Sequence, residues 1–380
     1  MRTRIRLCLV LLLFVFAASQ AAVLPKFPAG AVWNQDISAA PLRSDSASLI
    51  ATLIGICGGQ SSGCGFGFGR MQIDFSIMVL NAPIGAPTAS VVEHVAYQDY
   101  YAPDCEPVGS TIPIPAGGAI EGSTNYSCDN TSEDCHLLVV QGNTLYEAYS
   151  ANLLAGSQLE ALCLARWQLD RVYPPAGRGE HCTSADAAGF PIAALLFNAD
   201  EIRAALAQPV AADRVIGHAI RFILPNDRMA SLPDGPDQGS VRDPEYVRPA
   251  SHAGGPVGPL GSVPYGSRLR LRANFPFAGY NPAAQVILRT MQRYGIVLAD
   301  GGNVALTAES DRFTTAKWAD ADIGLDPNDG GSRVFDQTPG ATPVDVSDFA
   351  IIDTGAAIAE TYECVRTPEV LGLLFGNGFE

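Results

Sequence analysis

The stretch His136–Ala151, "HLLVVQGNTLYEAYSA", decides the fold class. Two apolar runs flank Gln141-Gly142-Asn143, which predicts two strands joined by a tight turn, because glycine and asparagine accept the left-handed backbone that such turns need. In the second run Leu145, Glu147 and Tyr149 recur with period two and share one face, while Tyr146 points the other way. The same alternation extends outward. "MQIDFSIMVLNAP" (71–83) alternates at Met71, Ile73, Phe75 and Ile77, then turns continuously apolar, as a strand passing into a core would. "VIGHAIRFILP" (215–225) places Ile216, His218, Ile220 and Phe222 on one face, and "SRLRLRANF" (267–275) sets Arg268, Arg270 and Arg272 against Leu269 and Leu271. Helical signals are fewer. Asn198 with Glu201 three residues on approaches a capping box, and Pro282 opens an amphipathic run that Gly295 stops. The expectation is a mainly β, single β-sandwich or jelly-roll-like domain with a few short helices.

The first residues carry Arg2, Arg4 and Arg6 ahead of an apolar run from Leu7 to Ala18, then a small-x-small site ending at Ala21. This reads as a signal peptide over 1–21, since a run of roughly a dozen residues is short for a bilayer. The rest divides into one β-rich domain over 22–365 and a short tail over 366–380. Residues 225–266 are rich in proline and glycine but lie between strands of one sheet, so they read as a long loop within the domain. Secretion of a bacterial protein, to the periplasm or the extracellular space, follows from the leader.

Nine cysteines become eight without Cys8, and an even count in an exported chain reads as disulfides. Short flexible spans suggest Cys57 with Cys64 and Cys128 with Cys135. Cys163 with Cys182 brackets a Pro-Pro turn, which leaves Cys105 with Cys364. No Cys-x-x-Cys or paired-histidine spacing supports zinc, and no cofactor is expected.

The whole chain has a formal charge of −15; losing residues 1–21 removes three arginines and no acids, giving −18. Lys26 and Lys317 are its two lysines, and nucleic acid and anionic membranes both need a basic footprint. Neither is an expected partner once the leader is gone. Elbow, Walker, dinucleotide and zincin signatures are missing, and "GCGFGFGR" (63–70) lacks the strand-to-helix context of a phosphate loop.

Carboxylates are the remaining chemistry. Glu147 shares an apolar face, so its carboxyl is either raised in pKa or satisfied by a partner, unless that face is solvated. Asp186, in "TSADAAG", either caps a turn that Gly189 ends or offers an acid among small alanines that let a ligand approach. His218 is a candidate base, with Ser184 as its nucleophile, against the plainer reading of a bonded core histidine. Asp300 ends a buried strand at Gly301-Gly302, where turn chemistry competes with catalysis. His136 and His252 complete a conceivable metal trio with His218. Arg268, Arg270 and Arg272 either bind an acidic glycan or line a solvated face.

Several segments together resemble a family of exported bacterial proteins of unknown function. They are "WNQDIS" (33–38), "IPIPAGGAIEG" (112–122), "HLLVVQGNTLYEAY" (136–149), "TSADAAGFPI" (183–192), "GHAIRF" (217–222), "YGSRLRLRANF" (265–275) and "RYGIVLADGG" (293–302). The resemblance implies one continuous domain and no assigned reaction. It departs at Asp134-Cys135-His136, where the family pattern has Asp-Arg-His. The functional expectation is an exported carbohydrate-active protein acting on a polysaccharide, a hydrolase if Asp186 or Glu147 pairs with a second acid. The alternative is a non-catalytic glycan-binding or surface-interaction module using Trp33, Trp167 or Trp318 as a platform.

Overall fold

The computed structural model describes residues 24–56, 65–232 and 243–367. The leader, the expected Cys57–Cys64 pair and most of the C-terminal tail lie outside them. The described chain is mainly strand, in several sheets with a few short helices, and it carries three disulfides.

The hairpin forms as its sequence predicts. Leu137–Gln141 pairs antiparallel with Thr144–Tyr149, Gln141 opposite Thr144, and Gly142 turns the chain with φ +59°. These strands are the centre of a four-stranded sheet ordered Val79–Asn81, Leu137–Gln141, Thr144–Tyr149, Cys163–Gln168. Both faces of this sheet are covered. Leu137 and Val139 enter a smaller core shared with a second four-stranded sheet built around Thr88–Glu93 and Gln158–Ala161. Leu138 and Leu145 enter the main core on the other side, as period-two side chains must. Glu147 follows Leu145 onto that side and is fully buried.

A six-stranded mixed sheet lies on the main core. Its order is Ile73–Ile77, Leu306–Glu309, Ile220–Leu224, Ile296–Gly301, Arg268–Leu271, Phe349–Ile351. The apolar run 71–83 is divided at Met78, with Ile73–Ile77 in this sheet and Val79–Asn81 in the four-stranded one. At the middle, Ile220–Leu224 runs parallel to Ile296–Gly301, with Arg221 opposite Val297. Without interruption Ala299 would face Ile223, and Asp300 would fall on the opposite face. The register instead slips one residue between Phe222 and Ile223, so Asp300 pairs with Ile223 and joins the face that carries Arg221. A bulge of this kind re-aims a side chain. The carbonyl of Ala299, beside the slip, accepts from Ala188 N at 2.8 Å.

Helices fall where their caps lie. Asn198 accepts from Glu201 N at 2.8 Å to open α1 (Ala199–Leu206). Asn281 accepts from Ala284 N, also at 2.8 Å, to open α2 (Pro282–Arg293), and Gly295 ends it at φ +74°. Helix α2 packs on Arg268–Leu271 and against α1. Among the described residues no helix is long and apolar enough to cross a membrane.

Two disulfide expectations are corrected. Cys128 does bond Cys135, but Cys105 bonds Cys163 and Cys182 bonds Cys364. The expected Cys163–Cys182 and Cys105–Cys364 pairs are thus exchanged. Cys163 begins a strand whose inner face meets Cys105 in the smaller core, while Cys182 lies beyond the end of that strand, where the returning chain brings Cys364. Loop-closure cost rises only with the logarithm of loop length, so nearness in sequence is a poor guide to partners.

Candidate functional site

The segment Thr183–Gly189 forms the floor of a cleft of about 550 Å³, to which it contributes Thr183, Ser184, Ala185 and Ala187. Bonds from widely separated parts of the chain fix it. Thr183 N donates to Asp104 Oδ2 at 2.8 Å, and Ser184 Oγ donates to Phe190 O at 2.7 Å. His136 Nε2 donates to Ala185 O at 3.2 Å and His252 Nδ1 to Ala187 O at 2.7 Å. Gly189, at φ +77°, donates from its N to Asp186 O and closes the turn.

Asp186 is fully buried beneath this floor. One oxygen, Oδ2, accepts from Arg221 Nε at 2.7 Å, and Oδ1 accepts from Ala188 N at 3.3 Å. Arg221 uses its other donors on Asp300 Oδ2 at 2.9 Å and Thr307 Oγ1 at 3.0 Å. Burial raises the Asp186 carboxyl, the Arg221 charge opposes that rise, and Asp300 adds to it. Asp186 therefore both closes its own turn and anchors a buried guanidinium. Asp300, held by the same Arg221, is the member of the cluster that reaches the cleft, with its side chain 23 % exposed.

A second cluster adjoins it. His136 is fully buried, and its Nδ1 meets Glu121 Oε2 at 2.7 Å. Both ring nitrogens face acceptors, which requires the doubly protonated imidazolium. Burial opposes that charge, but Glu121 and Asp134 outweigh it and raise His136 to about 9. Burial likewise opposes the Glu121 charge, and His136 and Ser76 pull it down to about 2. With both nitrogens engaged His136 offers no metal ligand. The single described group of histidine, cysteine and carboxylate ligands within reach of one ion is Asp104, Cys182 and Cys364, and its sulfurs are bonded to each other.

Asp134 precedes Cys135, which the disulfide holds at φ +51°, and its carboxylate lines the same cleft as Asp300. Desolvation raises Asp134, the His136 charge pulls it back, and Asp300 and Glu121 raise it further. Asp134 is itself exposed at the rim, so its desolvation is partial, and among the described residues its carboxylate has no hydrogen-bond partner. The walls are tyrosine. Tyr101 and Tyr149 lie with ring centroids 6.3 Å apart, and Tyr362 stands across from them beside His252.

The three expected catalytic residues separate. Asp186 and Glu147 are brought close enough for the Asp186 charge to raise Glu147, but both are 0 % exposed and neither can touch a ligand in this conformation. Glu147 Oε1 accepts from Ala193 N at 2.8 Å. His218 belongs to neither cluster. Gly217, at φ +87°, turns the chain ahead of the strand, and His218 sits beside Ala219 O at 2.8 Å and Glu201 at 3.5 Å. Trp33, Trp167 and Trp318 are buried, so none is an exposed platform, although Trp33 and Trp167 back a second groove of about 450 Å³ with Tyr173 and Phe190. Arg268 and Arg270 donate to backbone carbonyls between Val32 and Ala40, and Arg272 pairs with Asp348. Arg268 and Arg270 thus bind the segment 32–40 to the sheet.

Arg221 and Asp134 were not singled out by sequence reasoning. A signal for the first was present, since an arginine inside the apolar run "AIRFIL" needs a buried partner. Asp134 lies in a polar turn and leaves no such mark. The chain matches no protein-family model, no curated protein and no solved structure.

Proposed function

We propose that this is an exported carbohydrate-active protein that hydrolyses a glycan in the tyrosine-walled cleft, with Asp134 and Asp300 as the acid pair. One observation carries the reading: two carboxylates in unlike surroundings line one cleft beside a tilted pair of tyrosines. Unlike environments divide acid from base. Asp134, raised by desolvation and by neighbouring acids, suits the proton donor to the glycosidic oxygen. Asp300, fixed by Arg221, suits the carboxylate that takes a proton from the attacking water. Water then adds at the sugar carbon as the glycosidic C–O bond breaks. Asp186 is a positioning residue, acting through Arg221. Tyr101 and Tyr149 suit the apolar faces of sugar rings. Three disulfides suit an oxidising compartment, and with the N-terminal leader pattern they support export.

The test is release of reducing ends from a panel of polysaccharides by the full chain. Asp134→Asn and Asp300→Asn should each lower the rate by about a hundredfold or more. Activity that survives both substitutions would contradict the assignment. Tight binding without turnover by the unaltered protein would make it a glycan-binding module.

A further inference from the structure

The sign of charge around the cleft restricts what can enter it. Four aspartates line it, Asp99, Asp104, Asp134 and Asp300, and among the described residues no lysine or arginine does. The nearest guanidinium groups are already committed. Arg221 is buried between Asp186 and Asp300, and Arg366 pairs with Glu106 while donating to the Asp104 carbonyl. Beneath the floor Asp186 adds a further carboxyl. The formal charge of the chain, −15, has the same sign as this field.

A second observation also points to a ligand. His252 is nine-tenths buried in the cleft wall. Its Nδ1 is tied to Ala187 O, which fixes Nδ1 as the donor and leaves Nε2 as an acceptor. Among the described residues Nε2 has no partner. Acceptors therefore dominate the cleft: carboxylates, the imidazole Nε2 and the carbonyl oxygens of the floor. A complementary ligand must bring donors and positive charge.

Resting on the carbohydrate reading, we infer that the cleft takes an amino sugar with a free, protonated amine, such as a glucosamine oligomer, in preference to neutral, N-acetylated or uronate glycans. The ammonium group supplies up to three donors and a charge that the aspartates favour. A uronate would meet like charge on every side, with no free cation to receive it.

The test uses calorimetric titration of the full chain at neutral pH, where the amine still carries charge and an imidazole nitrogen can still accept. The probes are hexamers of glucosamine, N-acetylglucosamine, glucose and galacturonate, with a lysine hexapeptide as the non-sugar cation. The glucosamine hexamer should bind at least about tenfold more tightly than the N-acetylated one, and added salt should weaken it selectively. Asp99 Oδ1 accepts from Tyr100 N at 2.8 Å, a bond that asparagine can keep, so Asp99→Asn removes charge alone. It should weaken the glucosamine hexamer about three- to fivefold, while the uncharged hexamers should not weaken in parallel and the repulsion of galacturonate should ease. Equal or tighter binding of the N-acetylated, glucose or galacturonate hexamer would overturn the amino-sugar inference and leave the carbohydrate reading standing. A lysine hexapeptide binding as well as the sugar would overturn it too, since charge alone would then suffice. If no hexamer binds, both readings fall.

Discussion

Asp186 and Glu147 are equally buried and close enough to interact, yet the fold treats them in opposite ways. Asp186 meets a guanidinium each of whose three nitrogens donates to a side chain, an arrangement that supports charge inside the protein. Glu147 meets one backbone N–H, and its second oxygen, Oε2, is buried with no partner among the described residues. Burial raises Glu147 to about 7. Glu309, bonded through one oxygen to Asn198 Nδ2, is the same case and rises to about 8. The carboxyl below the cleft floor thus has a cation beside it, whereas those facing the main core have none, and burial raises all three.

The largest effect on this contrast should come from Arg221→Met. It removes the cation and leaves Asp186 buried and uncompensated, which should cost about 3–5 kcal/mol in urea unfolding. A cost below about 1 kcal/mol would mean that the ion pair does not organise the floor.

Glu147→Gln probes the other side, and its sign depends on pH. The folded value, about 7, lies above the unfolded value near 4.5, so between them the folded chain holds a proton that the unfolded chain has released. Stability from this group is therefore greatest below about pH 4.5 and falls as pH rises through 7. Glutamine mimics the neutral acid at every pH. The variant should match the unaltered protein near pH 4.5 and exceed it by up to about 3 kcal/mol at pH 8. Equal pH dependence of the two proteins would show that Glu147 has a partner for its charge.

Local chemistry was legible in the sequence. The 136–151 hairpin, both helix caps and the Gly295 stop follow from residue types that act within a few positions of one another. The alternation placed Glu147 on a face with apolar neighbours but left a solvated face open, and the structure buries it. What failed to show depends on register and chain return. His218 was expected in the strand, but Gly217 turns the chain just before it. Asp300 reaches Arg221 only through a one-residue slip that no side chain announces. Cys182 finds Cys364 across 182 residues of sequence, a closure that local spacing cannot indicate. The cleft itself assembles Asp134, Asp300, His252 and Tyr362 from four distant segments, and no spacing rule connects them.

The most direct test of the proposed function is a crystal structure of Asp134→Asn with the hexamer that binds most tightly. A sugar ring should lie against Tyr149, with a glycosidic oxygen facing residue 134 and Asp300 on the far side of that bond. An oligomer seated instead in the groove beside Trp33 and Trp167, with Asp300 untouched, would contradict it.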